Sequence, residues 1–596
     1  MAERVYDKKK SVQLSWLTVE VALYFLIALA AAGLRLYRLG ARPMTEGEAA
    51  QALAAWRFTQ GQAVGPMGYS PLLFTSSVLL FGLFRAGDLT ARLMPALFGV
   101  AVVILPCLLR RRLGRMGALA TSLLLAISPA ANFFSRYLGG EIVVAACALA
   151  LTIGLFGYLD ERRPKYLYLA AVALAVALSA GRGAYTLLLA LGTFFAGSGE
   201  ARRSIIEAWQ RESHLFIRCL SAAAIVFALV CTCFLLNFSG LQAGADLLPA
   251  WLAALKPGAG DHPWHYHLQL LALYEPLVLI FGLAEMFRSS GERDLLRSFL
   301  AYWAIVAFLV YAVAGGRGPG DVLLIVVPLA LLAGSSAGRL LEGIAHGWAR
   351  EGLFLALAGA IACRLYLELA GYASGRGAMA LYPSLWLALA ILLLAVGLVA
   401  LFWTYFGPAT ALRGAGLALL VILAVATVGI GCNLNFCRAS DPREPMVVSP
   451  TSPNIFDLVE TLEMVSLQRE GEPHAMAVTV HESPRLRGGQ SNSSLTAPPH
   501  AGRNAGPVLA WYLRRFANVE FVPQLGPAIA TPAVIAPAEE KAPSLGGQYV
   551  GQDFVLRLRW RPQGLSGPDR VRWLLYRQAP TPVQADRVVL WIKQAP

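Results

Sequence analysis

DLTARLMPALFGVAVVILPCLLRRRLGRMGALATSLLLAISP, residues 88–129, is the stretch on which the fold class turns. An apolar run, Ala91–Leu109, ends in Arg110-Arg111-Arg112 and Arg115, and a second apolar run starts at Ala118. Nineteen or so apolar residues closed by a cationic turn read as a membrane span entering a cytoplasmic loop, because short cytoplasmic loops collect Lys and Arg. The same pattern recurs on both sides. Long apolar segments fall at Trp16–Tyr37, Glu141–Leu159, Ile217–Asn237, Leu268–Phe287, Phe299–Ala314, Val322–Gly338, Leu353–Ala370, Leu385–Phe406 and Ala411–Cys432. Ala118–Phe133, Tyr166–Ala180 and Ala184–Ala196 are shorter. The expectation is a mainly α, polytopic membrane protein of about thirteen transmembrane helices. Composition agrees: 57% of 596 residues are apolar and 14% are charged, well below the ~25% charged of a soluble domain.

The flanking charges give an orientation. Arg4 and Lys8–Lys10 place the N-terminus inside. The inside loops then carry Arg110–Arg112 with Arg115, Arg162-Arg163 with Lys165, Arg202-Arg203 with Arg211, Arg288 with Arg293 and Arg297, and Arg339 with Arg350. This alternation requires Tyr69–Phe84 to lie in the outer interface rather than to span. The outer loop over about residues 40–86 is therefore expected to hold interfacial helices. An odd number of spans puts the C-terminus outside, giving a multi-pass protein of the plasma (cell inner) membrane with a cytoplasmic N-terminus. The net charge of +14 belongs mostly to the membrane part. It fits orientation and contact with membrane lipids, with no nucleic-acid partner.

From Asp441 the chain turns polar and proline-rich, with 16 basic and 14 acidic residues. Two domains follow: 1–440 in the membrane and 441–596 as a small extracytoplasmic α/β domain. Phe456–Gln468 and Leu509–Phe516 read as helices. Met476–Val480, Val519–Pro523, Ala533–Ala536, Phe554–Trp560, Val571–Arg577 and Arg587–Lys593 read as strands, and Arg485–Ala505 as a loop. Of the eight cysteines, only Cys432 and Cys437 stand where a pair could form across the outer boundary.

Few charged residues lie within spans: Glu20, and Arg364 with Glu368, which share a helix face and form an ion pair. Polar density gathers in the outer loops instead. RPMTEGEAAQALAAWRF holds Glu46 and Glu48, SRYLGGE holds Arg136 and Glu141, GDHPWHYH holds Asp261, His262, His265 and His267, and GGRGPGD holds Arg317 and Asp321. Carboxylates can take a proton from an acceptor hydroxyl, and an isolated Arg can hold a lipid phosphate through its fork. Imidazoles with Asp261 suit a divalent ion such as Zn or Mn, which makes Asp261, His262 and His265 the metal candidates. Each of these groups would also be polar simply because it meets water.

The residue order resembles the GT-C glycosyltransferases that use polyprenyl-phosphate sugars, which include protein O-mannosyltransferases and lipid A aminoarabinose transferases. More narrowly it is similar to the prokaryotic flippase-activity-associated family of archaeal-type N-glycosylation. The run 88–129 carries the resemblance with SRYL at Ser135–Leu138, LDERRPKYLYLA at Leu159–Ala170, HPWHYHLQLLALYEP at His262–Pro276, WYLRRFANVEF at Trp511–Phe521 and FVLRLRWRP at Phe554–Pro562. It implies a sugar transferred on the outer face from a polyprenyl-phosphate sugar lipid, with Glu48, or Glu46, as base. Arg136 and Arg317 would hold the donor phosphate, and Glu141 would orient the acceptor or a metal. The chain departs from that pattern in three places. Gly47 stands where an Asp is expected, Gly181-Arg182 replaces Lys-Glu, and Gly316–Gly320 replaces Glu-Lys-x-Pro-Trp. These departures support the alternative expectation, a non-catalytic lipid-glycan-binding or assembly subunit that scaffolds other membrane proteins.

Overall fold

The computed structural model describes residues 19–64, 70–256, 262–288, 294–344, 349–374, 381–481, 506–539, 544–562 and 564–594. The basic N-terminus, Asp261, Arg293 and the expected loop Arg485–Ala505 lie outside them. Among the described residues, nine helices are long and apolar enough to cross a membrane. Two bent helix pairs raise that to eleven. The thirteen segments expected from sequence are reached only by adding the shorter apolar helices Pro164–Ala180 and Gly183–Gly197. Pro71–Leu83, the expected interfacial segment, is likewise a short apolar helix of 13 residues.

Two segments expected as straight spans are broken. Ala118–Phe133 becomes Arg115–Ile127 plus Pro129–Ser135, bent by 59°, and Leu268–Phe287 becomes Tyr266–Tyr274 plus Pro276–Arg288, bent by 108°. The cause is local in both cases. Pro129 and Pro276 supply no backbone donor and push the preceding residue out of helical geometry. The Glu275 carboxylate, fully buried, joins the two breaks. Its Oε1 accepts from Ser128 Oγ at 2.6 Å and from the Ala130 N–H at 2.9 Å. It thereby caps the short helix that begins at Pro129.

Ion pairs gather the arginine-rich segments at one end of the helices. Arg110 pairs with Glu20 at 3.3 Å, Arg112 with Asp160 and, at 3.8 Å, with Asp294. Glu285, fully buried, receives Arg288 at 3.1 Å, Arg297 at 3.7 Å and Arg339. Arg364 and Glu368 form the expected i, i+4 ion pair. All eight cysteines, Cys432 and Cys437 among them, are unbonded.

At the other end sits the tail. Helix Asn454–Glu470 precedes a five-stranded mixed sheet of β1 (Val478–His481), β2 (Val519–Val522), β3 (Ala533–Pro537), β4 (Tyr549–Arg559) and β5 (Gln584–Lys593), in the order β2-β1-β3-β5-β4. β1 runs parallel to β2 and β3, and β5 runs antiparallel to β3 and β4. Five of the six expected strands are present. Val571–Arg577 is instead part of a helix, Gly567–Tyr576. Its start is set by Ser566, whose Oγ accepts from the Asp569 N–H at 3.3 Å, and by Pro568 and Asp569 in the first turn. Those cap residues outweigh the β-like composition of the segment.

The tail is joined to the membrane part by polar contacts, partly or fully buried. Asp88, at the start of the Asp88–Ile104 helix, accepts from Trp511 Nε1 at 2.8 Å and from the Tyr512 hydroxyl at 2.6 Å. The Tyr512 oxygen in turn accepts from the Met44 N–H at 2.8 Å. On the far side, Glu444 binds Tyr274 Oη at 2.6 Å and Arg577 Nε at 3.0 Å. A slip in the β4–β5 register between Val555 and Arg557, the count of a β-bulge, accompanies the turn of Arg557 toward the membrane part.

Candidate active site

The segment RPMTEGE forms a tight entry into the helix Glu46–Thr59. Thr45 is the N-cap, and Glu48, three residues on, accepts from the Thr45 N–H at 3.0 Å, the return half of a capping box. Both Glu48 oxygens are occupied. Arg92 grips them in a fork, Nε to Oε1 at 2.8 Å and Nη2 to Oε2 at 3.0 Å. Arg42 reaches both at 3.2 and 3.3 Å, and the Leu138 N–H donates to Oε1 at 2.9 Å. Glu48 and Arg92 are wholly shielded from solvent. Burial raises the Glu48 carboxyl, but the Arg92 and Arg42 charges and these hydrogen bonds outweigh it and hold it near 2. A carboxylate this stable is a poor proton acceptor at neutral pH.

Glu46 faces the tail. Its Oε1 accepts from Arg557 Nη2 at 2.9 Å, and burial raises its pKa. The two expected phosphate-binding arginines hold helix ends. Arg136 Nη1 donates to the carbonyls of Leu34, Arg35 and Tyr37 at 3.1, 3.2 and 2.7 Å, and Nη2 to Arg38. Burial, then the nearby Arg42 and Arg92 charges, lower Arg136 to about 10. Arg317 donates from Nε, Nη1 and Nη2 to the carbonyls of Tyr311, His262 and Ala312 at 3.0, 2.5 and 2.6 Å. Apart from that of His262, which lies in a loop, these carbonyls are at helix C-termini, where a cation is also favoured by the helix dipole.

Glu141 is different. It opens the helix Glu141–Glu161, and its Oε2 is buried and makes no hydrogen bond. Glycine on two sides makes room for it. A Cβ on Gly320 would sit 2.5 Å from Glu141 Cγ, and one on Gly139 would collide with Oε2 itself. Arg182 and Asp321 both act on Glu141 electrostatically. Asp321 organises the loop beyond Arg317 by accepting from the Gly318 N–H at 2.9 Å. Arg182 Nη2 donates to Gly316 O at 3.0 Å and to Asp321 Oδ2 at 3.4 Å. Among the described residues, the other Arg182 donors, Nε and Nη1, have no protein partner.

Tyr137 connects the two acids. Its hydroxyl accepts from Thr45 Oγ1 at 3.0 Å, and Glu48 and Glu141 both act on it. Burial first, then those two carboxylates, raise its pKa. A Cβ at Gly47 would meet only this hydroxyl, at 3.8 Å. Gly47→Asp therefore fits, and an acid in the first helical turn is favoured over glycine. The variant is expected to melt within ~2 °C of the parent or above it, as measured by thermal unfolding in detergent.

Among the described residues, which exclude Asp261, the histidines do not assemble a metal centre. His262 stacks on Tyr266 with ring centroids 4.0 Å apart, and His265 packs edge-on against Trp264 at 5.4 Å. His267 is buried with Nε2 3.1 Å from Gly318 O. Among the described residues, no three His, Cys, Asp or Glu side chains converge to hold an ion. Sequence reasoning passed over Arg42, Arg92 and Tyr137, and met Arg182 only as a departure from a pattern. The glycines of GGE and GPGD were the available signal for Glu141 and Asp321.

Comparisons with known proteins fit this architecture. Residues 70–233 match the family model described as Dolichyl-phosphate-mannose-protein mannosyltransferase. ArnT from Cupriavidus metallidurans, solved bound to undecaprenyl phosphate, is 15% identical with a TM-score of 0.50, over 96% of this chain and 97% of that one. The Archaeoglobus fulgidus oligosaccharyltransferase in its apo form is 13% identical with a TM-score of 0.45, over 88% and 70% of the two chains. No curated protein sequence matches the chain. The chain is a polytopic membrane protein with the GT-C glycosyltransferase fold.

Proposed function

We propose that the chain transfers a sugar from a polyprenyl-phosphate-linked donor to an acceptor hydroxyl at the tail-bearing face of the membrane. The observation that carries this reading is the buried Glu141 oxygen without a hydrogen bond, acted on by Arg182, whose Nε and Nη1 have no partner among the described residues. Glu141 serves as the base, in place of Glu48 or Glu46. Arg182 holds the donor phosphate, in place of Arg136 and Arg317. In the transfer, the acceptor oxygen forms a bond to the sugar C1 while the bond from C1 to the phosphate oxygen breaks. The acceptor proton passes to Glu141, and the polyprenyl phosphate leaves with its charge balanced by Arg182. Glu48, Arg92 and Arg42 position the loop and the Leu138 backbone next to this centre.

The donor class is supported by the ligand of the ArnT structure, undecaprenyl phosphate. The orientation is supported by the gathering of the arginine-rich segments at the end opposite the tail. On this reading the N-terminus is cytoplasmic, and the tail is extracytoplasmic in a plasma membrane.

Arg182→Gln is expected to weaken undecaprenyl phosphate binding about tenfold, the effect of losing one charge-assisted contact. Titration of the lipid into the purified chain, followed by tryptophan fluorescence, measures this. Equal binding by parent and variant would remove Arg182 from the donor site.

A second reading draws on Gly47 and on the sequestered Glu48. It is a GT-C-fold protein that binds the lipid-linked sugar, or scaffolds other membrane proteins, without turnover. It predicts unchanged donor binding together with no transfer.

A further inference from the structure

A groove of about 410 Å³ lies away from Glu141, between the end of the helix Glu46–Thr59, the end of the helix Pro71–Leu83 and the tail. Arg85, Arg514, Arg515 and His474 line it together with Trp56 and Phe81, and among the described residues no Asp or Glu lines it. Two acids near it have other partners, and the Asp88 charge also acts on Arg514. Asp88 is bound by Trp511 and Tyr512, and Glu463 by His474 Nε2 at 2.9 Å.

The cations are arranged rather than scattered. Arg514 is fixed by the carbonyls of Trp511 and Ala86, at 2.5 and 2.9 Å, with its guanidinium 3.6 Å from the Trp511 ring centroid. Arg515 adds a like charge beside it, and Arg85 closes the groove from the membrane part. Arg514 is partly buried and has Arg515 beside it, so an anion in the concavity relieves both its desolvation and the like-charge repulsion.

The flank of the groove says what carries that anion. Leu79, Leu83 and Phe84, at 46%, 77% and 56% exposure, lead directly into Arg85. They form an apolar, lipid-compatible surface ending at a basic pocket. We propose that this groove binds the phosphate of an anionic lipid headgroup, with Arg85 and Arg515 as phosphate donors and the Leu79–Phe84 edge against the acyl region. The groove is independent of the Glu141 centre, so its occupancy tests nothing about turnover.

The test uses the detergent-solubilised full chain and native mass spectrometry, with phosphatidylglycerol, phosphatidylcholine and inorganic phosphate as probes. Retention of phosphatidylglycerol over phosphatidylcholine is expected, with about a tenfold loss in Arg85→Gln/Arg515→Gln, the equivalent of ~1.4 kcal/mol. Arg85→Lys/Arg515→Lys, which keeps both charges, should retain it. Both arginines are exposed, so neither pair of substitutions removes packing from the core. Equal retention of phosphatidylglycerol by the parent and the Gln pair, or equal retention of the two lipids by the parent, would overturn the proposal. Displacement of phosphatidylglycerol by inorganic phosphate would overturn the lipid assignment in favour of a soluble phosphate.

Discussion

Glu141→Gln is expected to lower sugar transfer at least about a hundredfold, the usual size of a lost general base, while donor binding stays within about twofold. The amide has the shape of the carboxyl, so the glycine-lined space left by Gly139 and Gly320 is still filled. What it lacks is a site for the acceptor proton. No hydrogen bond to Oε2 is broken by the change, because none exists. The stability of the variant should therefore be close to that of the parent, which separates a chemical effect from misfolding. Initial rates with a labelled donor, together with donor titration and a melting curve, measure the three quantities. A variant that binds donor, melts normally and transfers at the parental rate would remove Glu141 from the chemistry.

The second large effect is on stability. Glu48→Ala leaves Arg92, fully buried, and Arg42 without their shared counter-charge, and also uncaps the Thr45 and Leu138 N–H groups. Breaking one side of a buried pair costs about 3–5 kcal/mol, so the expected outcome is severe destabilisation or failure to fold. Glu48→Gln keeps the shape and some of the hydrogen bonds, and should cost less. The pH dependence follows from the depressed carboxyl. Held at about 2 in the folded chain against the ordinary 4.5, it contributes about 3 kcal/mol. That contribution is fully present above the unfolded value and is lost as pH falls from about 4.5 toward 2. Thermal unfolding in detergent should show the gap between parent and Glu48→Gln narrowing across that window. A gap that does not change with pH would mean that Glu48 is not held as the buried ion.

This role for Glu48 was written in the sequence in a form easily read as something else. T-E-G-E at Thr45–Glu48 is a capping box, yet two acids in an outer loop draw the eye to catalysis. The membrane segments were legible because apolar runs of span length need no tertiary information. Their breaks were less so. Pro129 and Pro276 marked the positions, but nothing nearby in sequence announced that Glu275 at one break reaches Ser128 and Ala130 at the other, some 145 residues away. The strands of the tail followed from β-branched runs. Val571–Arg577 did not, because the deciding residues, Ser566, Pro568 and Asp569, precede the segment. Isolated arginines in loops cannot reveal whether they face a phosphate or a helix end. Arg136 and Arg317 turn to carbonyls only because the neighbouring helices stop where they do.

The most direct measurement is single-turnover transfer by the purified chain from a radiolabelled polyprenyl-phosphate sugar to a membrane extract, with Glu141→Gln beside it. The account predicts that label leaves the donor lipid and enters acceptor with the parent and not with the variant. Donor bound by both proteins, with label remaining on the polyprenyl lipid in each, would contradict it and leave a binding protein built on the GT-C fold.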